Sequence, residues 1–332
     1  MTASLGRRRL LIAGAAAGLG LAGAGGSTGA TAKTVWRWRG TALGADSTIL
    51  LAHAERDAAA ATILACRDEV ARLERIFSLY RSDSALSTLN REGRLSAPPP
   101  ELVELLAFAA RVSAASEGAF DVTVQPLWEL YARHFAAPGA DPAGPPAAVL
   151  AEARALVDWR AVEVGADRIA FRRPGTALTL NGIAQGYITD RVADLLRGHG
   201  FADVLVELGE IRALGRRPDG GPWLAGVADP EAPGSALLRL PLSDRALATS
   251  GGYGGWFDPT RRHHHLFDPA TGGSATRHAG VSVVADRATI ADALSTALAV
   301  LPTAAAERCL AALGPATAYL VSADRTVTTI EA

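Results

Sequence analysis

A carboxylate and two hydroxyls lie close together near the C-terminal end of the chain. Asp292 and Thr296 are four residues apart in a segment with helical patterning, so their side chains share one face of a helix, and Ser295 is adjacent. Oxygen ligands of this kind suit Mg²⁺, which takes few protein ligands and leaves positions for substrate phosphates. The alternative is a surface aspartate with a threonine in the helix interior, and the spacing alone does not separate the two.

A segment with two glycines, residues 179–187, is predicted to join a strand to a helix. Gly182 and Gly186 allow another group to approach the backbone closely. The free amides at the N-terminus of the following helix favour an anion such as a phosphate. An ordinary turn between strand and helix is the alternative for this segment.

Three consecutive histidines follow a flexible, glycine-rich segment at 249–255. Three histidines suggest a transition-metal site, but in an extended strand only His263 and His265 share a face while His264 points away. We therefore favour a single histidine that acts as an acid or base near neutral pH over a zinc site.

Phe120 and Asp121 place an aromatic ring beside a carboxylate, just after a predicted helix. Such a pair can stack on a planar ring and hold a sugar or a ring nitrogen of a ligand. Equally, Phe120 can belong to the core and Asp121 can cap a turn.

The composition excludes several kinds of chemistry. The chain has 332 residues, a net charge of -1 and 49% hydrophobic residues, which suits a folded protein and gives no reason to expect nucleic-acid binding. Lys33 is the only lysine, so the folded body has no Schiff-base or P-loop lysine. Cys66 and Cys309 are the only cysteines, which excludes a four-cysteine zinc or iron–sulfur site.

The first 32 residues have the pattern of an export signal. Arg7 and Arg8 precede a Gly/Ala/Leu-rich apolar run, and small residues at 30–32 suit a cleavage site. The arginine pair resembles a twin-arginine signal. We expect a periplasmic protein without a stable membrane anchor, whose folded domain spans 33–332. A transmembrane anchor is the alternative, but the run is shorter than the ~20 apolar residues that a span needs.

The elements that must position these groups follow from apolar spacing. Helices are predicted over 55–77, 101–116, 183–199, 288–301 and 304–313, the last with Thr303 as its N-cap. Short strands are predicted over 35–39, 47–53, 162–164, 168–171, 177–180, 204–208, 211–214, 224–227 and 236–240, and a surface loop over 138–146. Helices are spread among short strands without regular alternation, which favours the α+β class over a doubly wound sheet.

Taken together and in order, six short motifs resemble the ApbE family of FAD:protein FMN transferases. The resemblance runs from Gly40 to Thr296. The motifs lie at 77–80, 118–123, 182–186, 248–251, 265–272 and 291–296. The resemblance implies a single large domain of short strands with interspersed helices, related to the T-fold.

The family resemblance also implies a reaction and a set of site residues. Family members bind FAD with Mg²⁺ on its pyrophosphate, transfer the FMN half to a threonine or serine hydroxyl of a partner protein, and release AMP. By motif position, the implied catalytic residues are Asp292 and His265, and His265 either accepts the proton of the acceptor hydroxyl or holds a phosphate oxygen. The implied metal ligands are Gly182, Asp292, Ser295 and Thr296, and the implied FAD contacts are Tyr80, Ala119, Phe120, Asp121, Thr179, Gln185, Ser250 and His265.

The chain departs from the family pattern at three places. Arg39 stands where the family often has methionine, and Gln185 stands where it often has lysine, which removes one positive charge from the pyrophosphate site. Gly209 and Glu210 represent the family's acidic motif with one glycine fewer. Two alternatives to the transferase are an FAD pyrophosphatase that yields FMN and AMP, and a non-catalytic periplasmic FAD-binding protein. The expected acceptor of a transferase is an exported redox flavoprotein.

Overall fold

A computed structural model describes residues 34–42, 45–53, 56–232 and 234–332. The predicted export signal at 1–32 lies outside the described residues. The fold is α+β and forms one domain, as the sequence predicted. No helix within the described ranges is long and apolar enough to span a membrane.

The described part of the chain contains eight α-helices. They are α1 (Arg56–Phe77), α2 (Ala85–Glu92), α3 (Pro100–Ala115), α4 (Gln125–Ala136), α5 (Ala147–Arg154), α6 (Ala184–Gly198), α7 (Ala288–Val300) and α8 (Thr303–Leu313). The helices predicted from apolar spacing correspond to α1, α3, α6, α7 and α8, with ends within one residue of the prediction, whereas α2, α4 and α5 were not predicted.

Thirteen strands in the same ranges form three sheets. The strands are β1 (Thr34–Ala42), β2 (Ala45–His53), β3 (Arg94–Ser96), β4 (Val162–Val164), β5 (Arg168–Phe171), β6 (Val204–Glu207), β7 (Ile211–Leu214), β8 (Trp223–Ala228), β9 (Ala236–Leu242), β10 (Ala246–Ser250), β11 (Gly280–Ala285), β12 (Ala316–Val321) and β13 (Val327–Glu331). The main sheet has eight antiparallel strands in the order β1-β2-β6-β7-β10-β11-β12-β13. The other two are β3-β5-β4 and the hairpin β8-β9.

The main sheet is covered differently on its two faces because successive side chains of a strand point to opposite sides. Ile49 and Leu51 of β2 pack in the large core with residues of α1, α6 and α7. Leu50, between them, packs in a second cluster against Trp223 of the β8-β9 hairpin. The sheet thus lies between a helical layer and a hairpin, and the helical layer carries Gln185 in α6 and Asp292, Ser295 and Thr296 in α7.

The strand predicted at 177–180 is wrong. The side chain of Asn90, in α2, bonds both backbone polar groups of Leu178. Its Oδ1 accepts the Leu178 N–H at 2.8 Å, and its Nδ2 donates to the Leu178 carbonyl at 2.8 Å. Thr179 donates its N–H to the carbonyl of Val122 at 2.8 Å. A side-chain amide therefore replaces the ladder partner that a strand needs.

The predicted N-cap of the last helix is also wrong, because α8 already begins at Thr303. The preceding Pro302 is the N-cap and its carbonyl accepts the amides of Ala305 and Ala306, both at 2.9 Å. Proline suits this place since its fixed φ sets the entry of the chain into the helix. The loop predicted over 138–146 is confirmed.

Candidate active site

The N-terminal turn of α6 lies against α7 at the closest backbone approach that glycine permits. A Cβ atom added to Gly186 would lie 2.3 Å from the carbonyl oxygen of Ala288 and 2.8 Å from the Cβ of Asp292. A Cβ added to Gly182 would lie 2.8 Å from Oγ1 of Thr296. The two segments that the sequence marked separately for phosphate and metal chemistry thus meet along two turns of helix.

Asp292 is buried at this contact, with 1% of its surface exposed, so its interpretation as a surface residue is wrong. Its Oδ2 accepts the N–H of Gly186 at 3.0 Å. Gly186 lies in the first turn of α6, where an amide has no acceptor within its own helix. The Asp292 carboxylate therefore bonds one of the free amides at the N-terminus of α6, and the positive end of the helix dipole stabilises its negative charge.

Three hydroxyls stand next to this carboxylate. The Oγ of Ser250, at the end of β10, lies 2.8 Å from Oγ of Ser295 and 3.1 Å from Oγ1 of Thr296. The Ser295 hydroxyl also donates to the backbone carbonyl of Asp292 at 3.0 Å. Strand β10 and helix α7 thereby hold their hydroxyls in one cluster.

These residues fit a magnesium ion by the chemistry of their donors. All are oxygens: one carboxylate, the hydroxyls of Ser295 and Thr296, and the backbone carbonyl of Gly182, a residue where an added Cβ would lie 2.8 Å from Thr296 Oγ1. Hard oxygen ligands with one carboxylate suit Mg²⁺, which keeps positions for water and substrate phosphates. Within the described residues, no three His, Cys, Asp or Glu side chains cluster in a way that would hold a metal by themselves.

The three consecutive histidines do not converge on one point, which gives no support to a zinc site. Each has a ring nitrogen near a different backbone carbonyl: His263 Nε2 near Pro142 O (3.2 Å), His264 Nε2 near Ala275 O (2.8 Å) and His265 Nδ1 near Gly255 O (3.1 Å). His264 is buried, and burial lowers its pKa. It is a structural residue.

His265 is half-buried, and its tautomer follows from its contact. A carbonyl oxygen only accepts hydrogen bonds, so Nδ1 carries the proton that faces Gly255 O and Nε2 is the basic atom of the neutral ring. The loop before it is fixed by Asp258, which accepts the amides of Arg262 and His263 at 3.1 and 2.8 Å. Behind this loop, Phe257 and Phe267 stack with Tyr131 of α4.

In the 118–123 segment, Phe120 belongs to the core and Asp121 bonds the backbone of a turn, which was the structural alternative for this pair. Asp121 Oδ1 accepts the N–H and hydroxyl of Thr123 at 2.8 and 2.6 Å, and its Oδ2 accepts the N–H of Trp159 at 3.0 Å. Burial, acting against these hydrogen bonds, raises the pKa of Asp121. Ala119 is half-buried beside this turn.

Tyr80, Thr179 and Gln185 occupy different surroundings. Tyr80 is 72% exposed, while Thr179 is half-buried and accepts the Asn181 N–H at its hydroxyl (3.3 Å). Gln185 is buried below the turn between β6 and β7: a Cβ on Gly209, whose φ is +98°, would lie 2.6 Å from its Nε2. Glycine is needed at 209 for two reasons: the turn has a positive φ, and a side chain there would clash with Gln185.

Two clefts flank these segments. One, of ≈ 820 Å³, lies between α2, the start of α4 and residues 171–177; its walls include Leu79 and Ala177, near Tyr80 and Thr179 in the chain. The other, of ≈ 470 Å³, lies between the β1-β2 hairpin and α1 and is lined by Arg39 and Leu208.

Two buried acids support the site: Glu210, which the sequence analysis named only as part of the family's acidic motif, and Asp190, which it missed. Asp190, in α6, and Glu210, just before β7, are 1% and 0% exposed. Glu210 Oε2 accepts the N–H of Thr249 at 3.3 Å, next to Ser250. One signal was available: Asp190 is four residues after Gly186, so it shares the helix face that meets α7.

Sequence comparison with known proteins gives a family and two similar relatives. The model of the ApbE family matches residues 43–320. The chain is 32% identical over 236 residues to the FAD:protein FMN transferase of Haemophilus influenzae, covering 68% of each protein. It is 34% identical over 271 residues to the FAD:protein FMN transferase of Treponema pallidum, covering 73% of each.

Solved structures show the same fold. The flavin transferase ApbE from Vibrio cholerae superposes with a TM-score of 0.76 at 25% identity, over 90% of this chain and 97% of the other. The flavinyl transferase ApbE of Pseudomonas stutzeri, in its apo form, superposes with a TM-score of 0.71 at 30% identity, over 90% and 94% of the two chains.

Proposed function

Because this chain belongs to the ApbE family of FAD:protein FMN transferases, we propose that it moves the FMN moiety of FAD, with Mg²⁺, to a threonine or serine hydroxyl of an exported protein and releases AMP. The chain is a transferase whose substrates are FAD and a protein. The finer statements, on the metal, the acceptor residue and the leaving group, rest on the site.

The observation that carries the proposal is the meeting of α6 and α7. A buried carboxylate, Asp292, lies at a helix N-terminus beside the hydroxyls of Ser295 and Thr296. Amides of a helix start favour phosphate, and oxygen ligands with one carboxylate favour magnesium. This combination suits a pyrophosphate with its divalent cation.

The residues have separate tasks in the proposed reaction. Asp292, Thr296 and Ser295, with the carbonyl of Gly182, would hold the metal. When bound, Mg²⁺ neutralises charge on the pyrophosphate and on the leaving AMP. The acceptor oxygen attacks the phosphorus of the FMN half, a new phosphoester forms, and the bond to the bridging oxygen breaks so that AMP leaves with the electron pair. Nε2 of His265 accepts the hydroxyl proton.

FAD lies, in this proposal, along the segments that contain Tyr80, Ala119–Asp121 and Thr179. The cleft next to Leu79 and Ala177 supports that course. Ser250 contributes to the site through its contacts with the hydroxyls of Ser295 and Thr296. Gln185 offers a neutral side-chain amide where the family often has a charged lysine. Glutamine still donates hydrogen bonds to the pyrophosphate. The helix N-terminus and the metal make up for the positive charge that a lysine would add.

Location and acceptor follow from the N-terminal segment. Arg7 and Arg8 with the apolar run support the proposed export by a twin-arginine route and the proposed periplasmic location. The acceptor is then a protein of the same compartment, and an exported redox flavoprotein is the class that suits covalent FMN.

The test combines the purified enzyme with FAD, Mg²⁺ and a candidate acceptor domain. Intact mass spectrometry should show an FMN adduct on the acceptor, with AMP released in equal amount and neither product formed after EDTA. An acceptor whose target threonine is replaced by alanine is the control. AMP formed without any acceptor would identify the FAD pyrophosphatase, and bound FAD without AMP would identify the non-catalytic binding protein.

A further inference from the structure

Helix α7, which holds the proposed metal ligands, begins without a capping side chain of its own. Its N-cap residue is Arg287, whose side chain makes no capping hydrogen bond. The guanidinium of arginine only donates, so it cannot accept the amides that the first turn of a helix leaves open. Another part of the protein must supply the acceptors.

Asp190 of α6 supplies them. Its Oδ1 accepts the N–H of Ala288 at 2.9 Å, and its Oδ2 accepts the N–H and the hydroxyl of Thr289 at 2.9 and 2.7 Å. Asp190 is 1% exposed, so these bonds form in a place that water does not reach. A side chain from a neighbouring helix thus performs the N-cap role for α7.

Two arginines offset the buried charge of Asp190. Arg287 Nε lies 3.3 Å from Asp190 Oδ2, and the same guanidinium makes two bonds to Asp194 at 3.0 and 2.7 Å. Arg212 of β7, itself 6% exposed at its side chain, has Nε 3.7 Å from Asp190 Oδ1. Removing the carboxylate would leave the buried Arg212 without its counter-charge, which is costly, whereas Arg287 would keep its bonds to Asp194.

The same two helices meet one turn away at the site. Asp190 is four residues after Gly186, and Asp292 is four residues after Ala288, so α6 and α7 are joined at two levels: Asp190 to Ala288, and Gly186 to Asp292. The position of the first turn of α7 along its axis therefore sets the position of the Asp292 carboxylate.

We propose that Asp190 is a positioning residue for metal binding, which acts through the first turn of α7 to place Asp292, Ser295 and Thr296. The inference rests on the magnesium site of the proposed function. Residues that orient metal ligands typically change metal affinity by about 10–100-fold when replaced. An asparagine in place of Asp190 would keep one acceptor but turn its side-chain N–H₂ group towards the amides of α7.

The test compares Asp190→Asn with the wild-type chain and with the control Asp194→Asn. The control removes a negative charge that pairs with Arg287 but leaves the hydrogen bonds to the first turn of α7 in place. MgCl₂ is titrated calorimetrically into FAD-saturated protein without acceptor, with AMP assayed at the end. We expect the Kd for Mg²⁺ to rise about tenfold or more in Asp190→Asn and less than about twofold in Asp194→Asn. Excess Mg²⁺ should restore the transfer rate of Asp190→Asn.

A merely structural role would lower the melting temperature and the folded fraction but leave the Kd of the folded protein unchanged, and that result would overturn the inference. If Asp190→Asn does not fold, Thr289→Val removes one of the three bonds and should still raise the Kd; an unchanged Kd would again refute the role. A wild-type chain that binds no Mg²⁺ would refute the metal of the proposed function itself.

Discussion

Replacing Gly186 by alanine would force apart the two helices that form the site. The added Cβ would lie 2.3 Å from the Ala288 carbonyl oxygen and 2.6 Å from its carbon, both well inside the 3.4 Å at which ordinary contacts begin. Both atoms belong to the backbone, so no side-chain rotation relieves the clash. Either α6 or α7 must move, and the bond from Gly186 N–H to Asp292 must lengthen.

The expected loss of stability is the balance of three effects. Overpacking in a core costs about 1–3 kcal/mol, and leaving a buried polar group without its hydrogen bond costs about 1–3 kcal/mol. Alanine regains up to about 1 kcal/mol of helix propensity. The net loss is therefore about 1–6 kcal/mol, with a large fall in FMN transfer because the Asp292 carboxylate moves.

Gly198→Ala is the matched control, because Gly198 lies at the other end of the same helix and a Cβ there meets nothing within 4 Å. This variant should gain about 0.4–1 kcal/mol by restricting the unfolded chain, with unchanged transfer. Urea unfolding gives the free energies, and adduct mass gives the rates. A Gly186→Ala protein as stable and active as the wild type would refute the close contact and its role.

Four further predictions address single residues. Asp292→Asn should lower Mg²⁺-dependent AMP release by orders of magnitude while FAD still binds; near-normal release in a steady-state assay would remove Asp292 from the metal site. Gln185→Ala should weaken FAD binding by about 0.5–1.5 kcal/mol, and Gln185→Lys should strengthen it with greater salt dependence, as FAD titrations at two salt concentrations would show; equal affinities in all three proteins would mean that position 185 does not contact FAD. Burial lowers the pKa of His264, so the unfolded chain binds the proton more readily than the folded protein, and the free energy of unfolding should fall as the pH drops below about 6.5. Urea titrations at about pH 7.5 and 5.5 should show a smaller fall in His264→Gln than in the wild type; an equal fall in the two proteins would contradict this. Changing Arg7 and Arg8 to lysine should abolish export, measured as periplasmic yield, and an unchanged yield would exclude the twin-arginine route.

Local patterns in the sequence were enough to predict the helices that carry the site. The apolar spacing of α6 and α7 and the four-residue interval from Asp292 to Thr296 follow from the helical repeat, which acts within one segment. The family resemblance then joined those helices into one site. The capping pair Ser84 and Gly93 would have identified α2 as well, since Ser84 accepts the Ser87 N–H at 3.0 Å and Gly93 has φ +69°.

Contacts between distant segments were not predictable in the same way. Asn90 replaces a strand partner of Leu178 from 88 residues away, and nothing near residues 177–180 indicates this. Asp190 caps a helix that begins 98 residues later. The burial of Asp292 likewise depends on where α6 lies, so its own helical pattern was equally consistent with an exposed position.

The glycine contact between α6 and α7 also determines when during folding the site comes into existence. Strands β6 to β11 lie between the two helices in the chain, and β6, β7, β10 and β11 are neighbours in the main sheet. Closing so long a segment costs entropy before any contact of the site compensates for it. A fragment that ends before Ala288 would lack the α7 groups that bond the Asp190 carboxylate and the Gly186 amide. Affinity for the metal and for FAD should therefore appear only once α7 packs against α6, after β6, β7, β10 and β11 have paired, and binding of either ligand then stabilises both helices together.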